Sequence, residues 1–310
     1  EETQELVIKK KTNIFFIIGF FLLLLFILIY IDFHFIEPEI ITVEEYAITS
    51  NKITENYNGL KIVQFSDIQF GRITNEKELK KVVTKINETK PDIIVFTGDM
   101  LSDYITLSDD NKNFLKDTLK ELNASLGNYA VSGDKDYTDI DFYKELCETA
   151  GFKILNKETV PIYYKGNTPI YITGVASLQE EKDMLWHTES NNNYQILLAH
   201  EPIRFNENYK YTDLTLSGHS MGGIIRIPFL NGILKDENSS TYEKGRYDKE
   251  NSTLFVNPGI GSDKINGRFL NHPTIYLYRL YNQGNKKNEH NTRSFFIINL
   301  IAYKDFLSCH

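Results

Sequence analysis

Cysteine and surplus positive charge are what this sequence lacks. Its two cysteines, Cys147 and Cys309, form no C-x-x-C pair, so no disulfide framework staples the fold. Lys and Arg total 34 against 42 Asp and Glu, a net charge of -8. That balance argues against a nucleic-acid partner, because no basic excess is available to neutralise a phosphate backbone. No internal repeat is visible. What is present is the composition of a folded protein: 41% hydrophobic and 25% charged residues over 310 positions, enough for one large domain or two small ones.

Charge is missing altogether from Ile14 to Ile31, IFFIIGFFLLLLFILIYI. At 1.5 Å of rise per residue this stretch reaches about 27 Å, close to the hydrocarbon thickness of a bilayer. A core helix of that length would normally keep some polar face. Tyr30, Phe33 and Phe35 supply aromatics at the level of a membrane interface. Lys9, Lys10 and Lys11 precede the run, whereas Asp32, Glu37 and Glu39 follow it. The positive-inside rule then keeps the N-terminal side cytoplasmic and sends the remainder across a cell membrane as a single-pass protein. A cleaved signal peptide is the competing reading, but its apolar region is usually shorter and no small-x-small site follows Ile31.

After a loosely alternating lead-in, 37–58, strands and helices alternate. Strands are expected at Leu60–Phe65, Asp92–Phe96 and Tyr129–Val131, with helices at Asn75–Lys90, Asn111–Asn123 and Ile140–Ala150, the last stopped by Gly151. Further on, strands dominate: Phe152–Leu155, Thr159–Tyr164, Ile170–Val175, Gln195–Ala199, Leu214–Leu216, Thr253–Val256 and Thr274–Leu280. Such an order implies mixed sheets covered by helices, an α/β (α+β) fold. Asn282–Arg293 reads as a polar linker, and Ser294–Tyr303 is apolar but too short to span a bilayer.

Acidic and imidazole residues recur just past strand ends. Asp67 and Gln69 lie in SDIQFG, Asp99 in FTGDM, Asp134, Lys135 and Asp136 in VSGDKDY, His200 in LLAHEP, and His219 in LSGHSMGG. Loops at strand C-termini are where α/β folds build sites. A glycine before Asp99, Asp134 and His219 lets the chain turn sharply there. Taken singly, an aspartate after a strand is usually a turn former and a histidine is usually packed or solvated. Their recurrence in successive strand-end loops favours convergence on a divalent ion, for which carboxylates and imidazoles together suit Mn, Fe or Zn. His187 fits no such pattern and reads as structural or exposed. Ser220 lies in G-H-S-M-G, formally a nucleophile elbow, which keeps a serine esterase open as an alternative.

The order of these phrases resembles the calcineurin-like metallophosphoesterase superfamily, in particular its small membrane-anchored bacterial members. The resemblance runs from about Glu37 to Tyr281 through GLKIVQFSDIQFG, PDIIVFTGDM and LFVNPGIGSDKINGRFLNHPTIYLYRL. It implies a four-layer sandwich of two mixed β-sheets flanked by helices, here preceded by one transmembrane helix. It implies a site for two metal ions about 3.5 Å apart, with water bound to metal attacking phosphorus. Asp67 would serve the first metal, Asp99 would bridge, and Asp134, His200 and His219 would serve the second.

The chain departs from the family pattern at three places. The D-x-H motif is Asp67-Ile68-Gln69, G-H-x-H is Gly218-His219-Ser220-Met221, and G-N-H-D/E is Gly133-Asp134-Lys135-Asp136. The second metal keeps a full ligand set, whereas the first keeps Asp67, a share of Asp99 and the weak amide of Gln69; the Met221 thioether is a poor ligand for a hard cation. One well-bound ion and a second weak or absent one are therefore expected, with reduced activity. Lys135 and Asp136 are the expected catalytic groups, the Lys135 ammonium as a clamp on phosphoryl oxygen. The expected division is a cytoplasmic segment 1–13, an anchor 14–36, a phosphoesterase domain 37–281, and a linker and tail 282–310. The partners are the membrane and a phosphate-ester substrate, envelope- or lipid-linked. A catalytically inactive binding domain on the same fold remains the first alternative.

Overall fold

A computed structural model describes residues 2–71, 74–103, 105–183, 192–227, 232–233, 241–262 and 265–284, with side chains from Ile14 onward. His187 and the expected tail, 285–310, lie outside the described residues. Helix α1 (Glu2–Ile31) carries the uncharged run and passes through a short π-helical turn (Asp32–Ile36) into a 3-10 turn (Glu37–Glu39). The candidate membrane span is Ile14–Glu39, and none of its apolar window is buried against the protein.

Two six-stranded mixed sheets follow. The first takes β1 (Thr42–Ser50), β2 (Lys61–Phe65), β3 (Ile93–Phe96), β4 (Asn128–Ala130), β5 (Phe152–Ile154) and β12 (Thr274–Asn282) in the order β1-β12-β2-β3-β4-β5. The second takes β6 (Glu158–Ile162), β7 (Ile170–Val175), β8 (Gln195–Ala199), β9 (Leu214–Ser217), β10 (Gly245–Lys249) and β11 (Ser252–Val256) in the order β10-β11-β9-β8-β7-β6. Within the first, β2, β3, β4 and β5 run parallel and β12 runs against β2. In the second, β7, β8, β9 and β11 run parallel.

The pattern of burial explains which residues formed which layer. Ile62, Ile93 and Val95 face Ile196, Leu198, Leu214 and Leu216 in the core between the sheets. Val63, Phe65, Ile94 and Phe96 face the other way, onto helices α2 (Glu76–Glu88), α3 (Asp109–Leu119) and α4 (Ile140–Thr149). Strands covered on both faces read as continuous apolar runs, which is why they are visible in the sequence. Asn75 opens α2 with a full capping box, its side chain on the Glu78 N–H and Glu78 on the Asn75 N–H. The outer face of the second sheet carries a thinner cover, with Phe205 on α5 (Phe205–Asn208) packed with Leu254 and Val256. Pro161 sits in β6, an edge strand, where a missing N–H costs no ladder bond.

Two strands go beyond the expected set, the first of them within the extended lead-in. The lead-in is a strand at Thr42–Ser50, paired with β12 along its whole length. Strand β10, GRYDK, has no apolar alternation to announce it. It is an edge strand, and charge is how edges resist further pairing.

Buried polar bonds lock the sheets together close to the strand ends. Gln64 of β2 donates to Thr97 Oγ1 and to the Ser217 carbonyl of β9, both at 3.0 Å, and accepts from the Tyr278 hydroxyl at 2.6 Å. One buried amide thus joins three strands of one sheet region to the other sheet. The loops beyond those strands have a rigid base.

Candidate metal centre

Beyond β2, β3 and β9 the backbone takes conformations that side chains normally avoid. Asp67 (φ 50°), Gln69 (φ 49°), Asp99 (φ 60°), His219 (φ 67°) and Met221 (φ 49°) all lie in the left-handed region. Each such residue costs about 1–3 kcal/mol and persists only where its surroundings enforce it. Of the three glycines expected to ease turns, Gly98 does so, with φ 95°. Gly133 and Gly218 serve close approach instead: a Cβ at Gly133 would collide with the Asp99 carboxylate, and one at Gly218 with Ser66 and Asp67.

The loops bring Asp99, Asp134, His200 and His219 together, with one ligand atom from each lying within 4.8 Å of the others. The His200 Nδ1 lies 2.7 Å from the Thr97 carbonyl. A carbonyl only accepts, so Nδ1 carries the proton and the Nε2 lone pair points inward. That Nε2 is 3.1 Å from Asp134 Oδ1, 3.4 Å from Asp99 Oδ1 and 3.1 Å from His219 Nδ1. His219 Nδ1 is in turn 3.1 Å from the same Asp134 oxygen. Two imidazole nitrogens and carboxylate oxygens at this range are held together by a proton or a cation between them. Two imidazole nitrogens and two carboxylates form a donor set that fits Mn, Fe or Zn.

Electrostatics tell the same story. Burial pushes Asp67 and Asp99 up to about 6. At His200 burial opposes the charged ring, but Asp99, Asp134 and Asp67 outweigh it and raise the imidazole well above its ordinary range. Burial likewise works against charge on Asp134, yet the His200 and His219 bonds hold it well below the usual carboxylate range. The cluster attracts cations, whether protons or metal.

Lys135 stands at the rim of this cluster. Its backbone N–H reaches Asp99 Oδ1 at 2.9 Å, and its ammonium lies 2.6 Å from Asp134 and 3.1 Å from Asp103. Burial disfavours that ammonium, but Asp134 more than compensates and lifts it above the normal lysine range. Asp136, fully buried, turns away from the cluster. Its oxygens accept the N–H groups of Asp99 (2.9 Å), Met100 (2.8 Å), Leu101 (3.1 Å) and Gly133 (2.8 Å). It touches backbone, so the bonding gives it a positioning role: it clamps the Asp99 and Asp134 loops together.

The neighbouring corner is different. The Asp67 carboxylate takes the His219 N–H at 3.1 Å with both oxygens. Gln69 is fully buried, its Nε2 lies 3.9 Å from the Met221 sulfur, and its Oε1 is buried with no hydrogen-bond partner. An orphaned amide oxygen and a thioether lie at the two positions where the resemblance implies imidazoles. Ser220 is buried too; its hydroxyl donates to the Glu243 carbonyl and accepts the Gly222 N–H at 3.2 Å. That is the bonding of a turn former, and it removes the geometric basis for a serine nucleophile.

Three contributors escaped the sequence. Thr97 acts through its carbonyl, which no residue type can signal. Asp103 pairs with Lys135 across a loop. Asn271 donates its side-chain amide to the Met221 carbonyl (2.7 Å) and the Gly223 carbonyl (3.0 Å); its place inside FLNHP, three residues after Arg268, was the one available hint.

Similarity to known proteins agrees with this geometry. The calcineurin-like phosphoesterase family model matches residues 60–223, the span from the base of β2 to the glycines after His219. The uncharacterized metallophosphoesterase YkuE of Bacillus subtilis is 31% identical over 252 residues, covering 79% of this chain and 87% of its own length. An uncharacterized metallophosphoesterase of Aquifex aeolicus is 29% identical, over 81% of this chain and 95% of its own. The UDP-2,3-diacylglucosamine pyrophosphatase LpxG of Chlamydia muridarum is 26% identical, over 79% of this chain and 90% of its own. With its two mixed sheets, its metal-type cluster and these relatives, the chain belongs to the calcineurin-like phosphoesterase family of metal-dependent phosphate-ester hydrolases.

Proposed function

We propose that this protein is a membrane-anchored phosphoesterase working with one principal divalent cation, held by Asp99, Asp134, His200 and His219. The observation that carries this reading is the 3.1 Å approach of His200 Nε2 to His219 Nδ1 beside an Asp134 oxygen. A second cation position, at Asp67, Gln69 and Met221, is weak. There a neutral amide and a thioether supply neither the charge nor the hardness such an ion needs.

When bound, a divalent cation supplies Lewis-acid polarisation of a phosphoryl oxygen and lowers the pKa of water. The chain's own residues do the rest. Thr97 holds the His200 tautomer, and Asp136 holds the Asp99 and Asp134 loops in register. Lys135 presents an ammonium at the rim, pre-oriented by Asp103 and Asp134, to a phosphoryl oxygen. The segment 1–13 is cytoplasmic, 14–36 spans the membrane and the domain 37–281 lies outside, as the Lys9–Lys11 cluster and the acidic Asp32, Glu37 and Glu39 favour. The substrate is envelope- or lipid-linked; the pyrophosphatase relative, named for a diacylated sugar nucleotide, supports that direction.

The test is hydrolysis of phosphomonoesters and phosphodiesters by the full chain in detergent, after chelation and then with Mn, Zn or Mg added. Turnover restored by metal and abolished in His219→Ala is the expected result. Stoichiometric metal uptake without turnover of any ester would favour the non-catalytic binding domain instead, a reading supported by the Gln69–Met221 contact.

A further inference from the structure

The topology places the site and the membrane stem at one end of the sandwich. Strand β1 begins at Thr42, directly after the stem, and Thr42 lies opposite Thr274 at the start of β12. Near its start β12 pairs with the end of β2, Tyr276 opposite Gln64, and Asp67 follows that end. The parallel strands β3 and β4 bring Asp99 and Asp134 to the same edge.

A polar lattice joins stem to site across this end. The Arg268 N–H donates to the Phe33 carbonyl at 3.0 Å, and the Asn271 N–H donates to the buried Glu37 carboxylate at 2.7 Å. Asn271 also donates to the Met221 and Gly223 carbonyls, so one residue bonds both the stem and the loop that follows His219. Ile225 bridges Ile233 on one side and Phe269 on the other, tying the loops into one layer.

Around this lattice the surface is apolar. Phe35, Ile36, Ile227, Ile233 and Leu270 are 66%, 48%, 41%, 43% and 51% exposed. Leu270 is the most telling, because its backbone is left-handed at φ 53°. A strained conformation is here used to hold a large apolar side chain outward, the reverse of what folding alone rewards. Lys77, 3.0 Å from Glu39 in the stem, and Lys81, also paired with Glu39, add cations at the same end. Apolar side chains flanked by this group, two lysines on one glutamate, suit an interfacial layer with anionic headgroups.

We propose that this rim is a bilayer-contact surface, continuous with the apolar helix, which seats the site on the membrane so that it takes phosphate esters whose apolar part stays in the lipid. The substrate half of the proposal rests on the phosphoesterase reading; the contact half does not. In the full chain with Cys309→Ser, Cys147 being buried, single cysteines replace Leu270, Ile227 or the exposed Tyr163 near the far end. Each is labelled with bimane and reconstituted in phosphatidylcholine–phosphatidylglycerol vesicles bearing acyl-chain nitroxides. Quenching about threefold stronger at 270 and 227 than at 163 is expected; equal quenching at all three overturns the contact surface.

Leu270→Asn tests the substrate half. Asparagine tolerates the left-handed backbone, so the variant should unfold no earlier than the parent. Its hydrolysis of a long-chain alkyl phosphate in those vesicles should fall about fivefold while a short-chain soluble alkyl phosphate is hydrolysed as before. Equal rates, or equal losses, on the two esters overturn the substrate assignment. Hydrolysis of neither ester by the parent, with quenching intact, overturns the phosphoesterase reading and leaves the contact surface standing.

Discussion

The two halves of the site share a backbone and differ in chemistry. In the half formed by Asp99, Asp134, His200 and His219, atoms able to bind a cation converge. In the half formed by Asp67, Gln69 and Met221, an amide lies against a thioether. Yet Asp67, Gln69 and Met221 keep the left-handed φ values found at Asp99 and His219. The same strained scaffold thus underlies both sides, while atoms able to bind a cation converge on one. Scaffold and ligand chemistry are separable, and variants can exploit that.

The largest effect should come from the intact half. His200→Ala or Asp99→Ala removes a converging ligand, and bound metal and hydrolysis should both fall at least about 10²-fold. Retained metal in His200→Ala would erase the distinction between the halves. Next comes repair of the altered half: Gln69→His with Met221→His restores imidazoles on loops already shaped for them. Metal content should rise towards two ions per chain and turnover on the order of tenfold. Unchanged stoichiometry would mean that the scaffold there has drifted after all.

Asp136→Asn should act within the intact half, on the Asp99 and Asp134 loops it clamps, because its amide would turn N–H groups onto backbone donors. A loss of about 1–3 kcal/mol is expected in thermal or denaturant unfolding, with weaker metal binding. Lys135→Met should be milder, raising KM by about fivefold with metal content preserved; a loss of metal would assign Lys135 to ligand positioning through Asp134.

The smallest effect concerns pH in the chelated protein. Asp67, Asp99 and Asp136 rise to about 6 from an ordinary 3.8, through burial first. Between those values the folded state binds more protons than the unfolded one, so stability falls as pH climbs from about 4 through 6. His200, also raised, acts in the same direction at higher pH, its contribution being lost only as pH climbs past about 6.5. Asp134, lowered, contributes stability above its ordinary value that is lost at lower pH. Added Mn should flatten the decline in calorimetry, and an apo stability that rises across this window would contradict the assignment.

The same contrast explains what was legible in the sequence. Of the buried parallel strands, β3 is a solid apolar run and β8 nearly so, and α2 announces itself by the helical spacing of Leu79, Val82, Val83 and Ile86. Strand β10 is charged and lies at an edge, where pattern carries no signal. The four converging positions, Asp99, Asp134, His200 and His219, were readable because strand ends and glycines mark them. The direction of a carboxylate was not: Asp134 and Asp136 stand two residues apart, and only the folded chain shows one turned to the imidazoles and the other to four backbone N–H groups.

Anomalous diffraction from crystals grown with Mn tests the central claim most directly. One dominant peak is predicted between His200 Nε2, His219 Nδ1 and Asp134, with little or none beside Gln69 and Met221. A dominant peak at Gln69, or two of equal height, would contradict a site whose halves have parted in chemistry while keeping one backbone.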